Sequence, residues 1–257
     1  MSAPRALVVA GPGTNRDADI AAALALAGAA PQIVLSGQLA ADPGQLDSAQ
    51  MLVVAGGFSY GDALGAGRML ALELSLGRLG DALREFVAAG NPVLGICNGF
   101  QVLTRAGLLP GALGHNAGGS FQCRWVTLQP SSMRSVWTRD MTSPIHCPIA
   151  HGEGRYVTDD LPSLQANDQV ALRYIDDTNP NGSIDDIAGV CDPTGVVLGL
   201  MPHPENAVLP RQMPRATARP GAQPSAAPSA APSAAPSAAP SAALQLLTNG
   251  VNYAKDR

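Results

Sequence analysis

Over the first hundred positions, apolar residues fall in short blocks of strand length, each followed by a stretch with helical spacing. ALVVAGPGTNRDADIAAALALAGA reads as a strand, a glycine-containing turn and an amphipathic helix that stops at Gly28 or shortly after. PQIVL (31–35) and MLVVAGG (51–57) are further strand-like runs bounded by turn residues. LGRLGDALREFVAAGNP has helical spacing with a Gly-Asn-Pro stop. VLGIC (93–97) supplies another buried strand, and NGFQVLTRAG the helix after it. Parallel neighbours need crossover connections, so this alternation predicts an α/β fold with a doubly wound, mostly parallel sheet.

From about residue 120 the pattern changes. FQCRWVTLQP and IAGVCDPTGVVLGLMPHPE carry strand-like runs joined by hairpin-type turns such as DPTG (192–195), which predicts some antiparallel pairing in the C-terminal half. From Pro224 to Ala243 the chain repeats PSAA, and a proline at every fourth position blocks the helix that alanines favour. The repeat reads as a mobile, extended insert at about 220–243 in a single domain spanning 1–257. Helical spacing returns in ALQLLTNGVNYAKDR.

Composition narrows the function. At 257 residues, 46% of them hydrophobic, the chain can bury one large core. A net charge of -4 gives no basic surface for nucleic acid. The N-terminus lacks the apolar core of a signal peptide, and no stretch approaches the roughly 20 apolar residues of a membrane span, so a cytoplasmic location is expected. The four cysteines are scattered, which suits a reducing compartment. Cys123, Cys147, His146 and His151 match no metal-ligand spacing, so no metal is expected.

The first cysteine, Cys97, stands where the strand VLGI meets a helix, with Gly95 and Gly99 on either side. A strand that turns tightly into a helix can hold a nucleophile out of the sheet, and the helix N-terminus favours the thiolate. Packing of a small buried thiol between two glycines is the plainer reading of the same residues. A nucleophilic cysteine needs a base and a group that orients it. His203 with Glu205, at the end of the strand VVLGLM, offers one pair, the two side chains sharing a face if the chain stays extended. His151 with Glu153, at the same spacing in AHGEGRY, offers another. The strand C-terminus favours His203, because α/β sheets gather site residues there. His115 and His146 read as surface histidines. In AGGFSYGD, Gly57 can present its amide beside that of Asn98 as an oxyanion hole, although an ordinary glycine-rich turn would look the same.

Taken together, PGTNRD (12–17), GGFSYGD (56–62), GICNGFQVLTRAGLLPG (95–111), PIAHGEGRY (148–156) and MPHPE (201–205) resemble the class I, triad-type glutamine amidotransferases, whose fold is flavodoxin-like. Within that class they are similar to the glutaminase subunits of phosphoribosylformylglycinamidine synthase, an enzyme of purine biosynthesis. The resemblance covers nearly the whole chain outside the PSAA repeat. It implies that Cys97 is the nucleophile, His203 the base, Glu205 its orienting carboxylate, Gly57 and Asn98 the oxyanion hole, and that Gln101 lies near bound L-glutamine. It places His151 and Glu153 in a stretch that contacts the partner or closes over the substrate. It also implies a synthetase subunit that uses ATP and Mg²⁺ and receives the ammonia, together with a small accessory subunit. The chain itself has no Walker A sequence and no cofactor is expected in it.

Other readings are the same glutaminase chemistry feeding a different synthetase, a non-catalytic flavodoxin-like module that binds phosphate at PGTNRD or GGFSYG, and a cysteine peptidase or deglycase of similar fold. GGFSYGD and AHGEGRY weigh against the first, and the missing GxGxxG pattern against the second. Glutamine dependence separates the third. The family has only a short connection where the PSAA repeat stands. Deletion of residues 224–243 is therefore expected to leave assembly with the synthetase intact in a pull-down, and loss of the complex would contradict this.

Overall fold

The computed structural model describes residues 2–176, 178–214 and 241–257. The PSAA insert lies outside these residues up to position 240. The N-terminal half alternates strand and helix: β1 (Arg5–Ala10), α1 (Asp17–Leu26), β2 (Ala30–Leu35), α2 (Ser36–Ala41), β3 (Met51–Val54), α3 (Arg68–Ser75), α4 (Gly77–Ala88), β4 (Val93–Ile96) and α5 (Asn98–Arg105). The rest is richer in strand: β5 (Ala112–Gly114), β6 (Gln122–Pro130), β7 (Ile145–His151), β8 (Arg155–Val157), α6 (Leu161–Ala166), β9 (Val170–Ile175), β10 (Ile187–Cys191), β11 (Val197–Leu200) and α7 (Ala242–Lys255). No described helix is long and apolar enough to cross a membrane.

Nine strands form one sheet in the order β2-β1-β3-β4-β11-β10-β9-β6-β7, and β5 pairs with β8 apart from it. The first five strands of that order are parallel and the last four continue it antiparallel. The expected doubly wound sheet is present, with a longer antiparallel extension than the hairpin signals alone suggest. The central strands β3, β4 and β11 are apolar throughout and buried at every position, as strands covered on both faces must be. The DPTG turn joins β10 to β11 as expected, Gly195 N–H closing on the Asp192 carbonyl at 3.0 Å. The terminal helix α7 is capped by Ser241, whose hydroxyl accepts from the Leu244 amide at 3.1 Å.

Strand register decides where the chemistry can sit. Val54 pairs with Gly95, and Ile96 pairs with Leu200. The segments that leave β3, β4 and β11 therefore emerge side by side at one end of the sheet, where α/β folds place their sites. The far edge strand β7 also returns to this end. The Pro148 carbonyl accepts from His203 N–H at 2.8 Å, and the Ala150 carbonyl lies 3.8 Å from Cys97 Sγ.

The helix after β4 starts in contact with the sheet. A Cβ on Gly99 would stand 2.0 Å from the Val54 carbonyl oxygen, so even alanine forces backbone apart. Gly99→Ala is expected to destabilise the chain by about 3 kcal/mol. Gly37→Ala, whose added carbon meets nothing within 4 Å, is expected to change stability by less than about 1 kcal/mol. Urea midpoints of the two variants against the parent chain check both.

Candidate active site

Cys97 ends β4 and opens α5 with φ 52° and ψ -105°, a conformation that a side-chain-bearing residue rarely adopts. The turn directs the thiol away from the strand axis, and α5, buried along nearly its whole length, is seated behind it. Among the described residues the amide of Asn98, the first residue of α5, enters no backbone hydrogen bond, and neither does that of Gly57. Gly57 has φ 136°, and a Cβ there would stand 2.6 Å from the Asn15 amide nitrogen. The PGTNRD turn is thus packed directly onto the glycine whose amide was expected to bind an oxyanion.

His203 and Glu205 meet as expected but by a different route. The chain does not stay extended after β11. Pro204–Asn206 turns as a short 3₁₀ segment, and the two side chains face each other across it, with His203 Nδ1 2.6 Å from Glu205 Oε1. Both residues are buried. Burial alone would push the His203 imidazole down. The Glu205 carboxylate and the Cys97 sulfur beside the ring outweigh it and hold the imidazole up at about 10. Cys97 and His203 share the wall of one small recess with Gly57 and Ala150.

The rival pair does not form. His151 closes β7, is buried, and directs Nδ1 to Asn116 Oδ1 at 3.1 Å. Glu153 instead faces Arg105 at 3.8 Å and His115 at 4.0 Å. Asn116 Oδ1 also accepts from Gly154 N–H, so it acts as an acceptor and His151 Nδ1 carries the proton. Burial, followed by the charge of His203, pushes the His151 imidazole down to about 4. Being buried, His151 has little surface to offer a partner.

A cavity of about 210 Å³ opens above Cys97, walled by Gly57, Phe58, Asp62, Gln101, Phe121, His151 and Glu153 among others. The Gln101 side chain is fixed at both ends, accepting from Asn98 Nδ2 at 3.0 Å and donating to the Glu153 carbonyl at 2.5 Å. Asn98 in turn accepts from the Ser59 hydroxyl at 2.6 Å. Ser59 and Asp62 belong to a stretch the sequence singles out, but only its glycines carry a signal there. Asn116, which donates to the Ser120 and His151 carbonyls at 2.9 Å each, has no sequence signal. Among the described residues no three His, Cys, Asp or Glu side chains gather as metal ligands. On β7, Cys147 faces the buried side and His146 the exposed one.

The two shifted histidines give stability opposite slopes on either side of pH 6.5. His203 is raised, so its contribution is fully present below about pH 6.5 and is lost as pH rises towards 10. His151 is lowered, so the unfolded chain binds more protons between pH 6.5 and about 4, and stability falls as pH falls through that window. Glu205→Gln removes the carboxylate that holds the His203 proton and is expected to flatten the alkaline limb. Urea midpoints between pH 5 and 9, with NMR titration of the His203 ring, check this.

The model of the CobB/CobQ-like glutamine amidotransferase domain matches residues 3–253. The phosphoribosylformylglycinamidine synthase subunit PurQ of Treponema denticola is 47% identical over 244 residues, covering 81% of this chain and 90% of that protein. The PurQ subunit of Methanothermobacter thermautotrophicus is 43% identical over 202 residues, covering 78% and 88%. A solved chain of PurLQS from Thermotoga maritima superposes with a TM-score of 0.70 at 39% identity, covering 82% of this chain and 92% of that one. With a family match over nearly its whole length and relatives of this similarity, the chain belongs to the CobB/CobQ-like glutamine amidotransferases and, within them, to the PurQ subunits of phosphoribosylformylglycinamidine synthase.

Proposed function

We propose that Cys97, His203 and Glu205 are the catalytic triad of the glutaminase subunit of phosphoribosylformylglycinamidine synthase. The observation that carries this reading is the buried 2.6 Å His203–Glu205 pair set beside Cys97 at the foot of an amino-acid-sized cavity. The chain hydrolyses L-glutamine to glutamate and ammonia for purine biosynthesis. A synthetase subunit takes the ammonia and uses ATP and Mg²⁺ to convert formylglycinamide ribonucleotide to formylglycinamidine ribonucleotide. A small accessory subunit completes the assembly. The similarity to a chain of PurLQS from Thermotoga maritima and to the PurQ subunits supports this arrangement.

In the chemistry proposed, the Cys97 thiolate attacks the side-chain amide carbon of glutamine. The carbonyl oxygen becomes an oxyanion that the Gly57 and Asn98 amides hold. His203, charged beside Glu205, gives its proton to the departing nitrogen, which leaves as neutral ammonia, and a γ-glutamyl thioester remains on Cys97. The neutral imidazole then takes a proton from water as that water attacks the thioester. Glutamate departs and the thiolate–imidazolium pair is restored. Glu205 holds one ring nitrogen throughout, which keeps the other facing the sulfur. Gln101, fixed between Asn98 and Glu153, forms one wall of the glutamine site.

Treatment of the chain, alone and with its synthetase, with a glutamine-mimicking diazoketone is expected to place an adduct on Cys97 that excess glutamine suppresses, as located by peptide mass spectrometry. Cys97→Ala in the complex is expected to lower glutamine-dependent synthesis about 10³-fold or more while leaving ammonia-dependent synthesis unchanged. A folded, assembled enzyme that forms no adduct would return Cys97 to a packing role.

A further inference from the structure

Away from Cys97, two arginines share a cavity whose described wall holds no carboxylate. The cavity, of about 330 Å³, lies between α3 and α5 and is lined by Arg68, Ala71, Leu72, Ser75 and Arg105. The two helices approach closely because Gly67 leads into α3, and a Cβ there would stand 3.1 Å from Val102 Cγ2. Arg68, the first residue of α3, and Arg105, the last of α5, therefore open onto the same space. One loop steers both guanidinium groups. It turns at Gly65, with φ 111°, and the carbonyls on either side of that glycine accept from the two arginines. Arg68 Nη1 donates to the Leu64 carbonyl at 3.2 Å and Arg105 Nε to the Ala66 carbonyl at 3.0 Å. Among the described residues Arg68 forms no ion pair, and the carboxylate near Arg105 is Glu153, at 3.8 Å on the side of the cavity above Cys97. Nε and Nη2 of Arg68 and Nη1 of Arg105 meet no acceptor among these residues.

Two like charges pinned in one cavity repel, and an anion placed between them relieves the repulsion. In a chain of net charge -4 such a pairing is not a by-product of a generally basic surface. A carboxylate has two oxygens and one charge, which a single guanidinium fork satisfies. A phosphate monoester has three terminal oxygens and a charge of about -1.5 to -2 near pH 7, which suits two forks and a hydroxyl, here that of Ser75. The cavity exceeds what a phosphate group alone needs and falls in the range of small-ligand sites, about 300 to 1,000 Å³. Ala71 and Leu72 give the rest of such a molecule an apolar surface. We infer that Arg68, Arg105 and Ser75 form a binding site for a phosphate monoester of sugar-phosphate size. The site is separate from the acyl-transfer centre and adjoins it through Arg105, which faces Glu153.

Calorimetric titration of the full chain at fixed ionic strength compares ribose 5-phosphate with inorganic phosphate and with ribose. Ribose 5-phosphate is expected to bind one to one with a Kd below about 1 mM, more tightly than inorganic phosphate, and ribose not at all. Arg68→Gln and Arg105→Gln each remove one charged fork and are each expected to weaken ribose 5-phosphate about tenfold or more. Arg139→Gln, which removes an exposed positive charge outside this cavity, is expected to change the Kd less than about twofold. Unchanged urea midpoints show that the variants are folded. Equal weakening in all three variants would reduce the effect to net charge and overturn the site, as would no binding up to about 10 mM. Inorganic phosphate binding as tightly as ribose 5-phosphate would overturn the monoester assignment. If neither phosphate binds and the Arg68 and Arg105 variants instead lose the complex with the synthetase, this face docks an acidic segment of that partner and the small-ligand site is overturned. The titrations do not depend on glutamine hydrolysis, so the site and the glutaminase reading stand or fall separately.

Discussion

The approach of α5 to the sheet is closer than any side chain permits. Gly99 lies against the Val54 carbonyl, and a Cβ on Gly95 would stand 2.7 Å from the Gly99 carbonyl. This contact fixes the turn at Cys97, because only a tight left-handed residue lets the chain reverse from β4 into a helix seated so near. From the turn follow the placement of the thiol on the cavity wall, the orphan amide of Asn98 and the side-chain chain of Ser59, Asn98 and Gln101 that walls the cavity. The neighbouring strands fall into place around it. β3 delivers Gly57 and β11 delivers His203, both leaving the sheet at the level where β4 delivers Cys97.

The parallel half of the sheet was legible because strands buried on both faces write themselves as unbroken apolar runs, and because the helices between them end at glycine. The antiparallel extension was less so. β7 reads IHCPIAH, with two histidines and a proline, and its burial alternates, so nothing in the run announces a strand of seven residues. β9 and the helix α3 also went unseen, the latter because it follows a glycine-rich turn with several left-handed residues. Tertiary packing, not local preference, holds these elements.

In the site, the residues in special backbone positions were readable and those held by long-range contacts were not. Cys97, with glycines two positions away on each side, and Gly57 carry the mark of their geometry in the sequence. The spacing of His203 and Glu205 pointed to a pair that does meet, though for an incomplete reason, since a 3₁₀ turn and not an extended strand brings the two together. The same spacing failed for His151 and Glu153, whose side chains diverge once Asn116 takes the imidazole. Asn116 lies in a loop with no periodic signal, and its role depends on the β7 end that only the folded sheet brings near.

Because β11 joins the parallel half of the sheet to the antiparallel half, the site straddles a seam between segments about a hundred residues apart in the chain. During synthesis the N-terminal strands and helices have already emerged while His203 and Glu205 have not, and pairings of such long sequence separation form late. The thiol is therefore made, and its helix built, well before the groups that would make it reactive arrive. With the proposed triad, a half-made chain carries an inert cysteine, and regain of activity would report closure of the whole sheet, whereas regain of helix content would not.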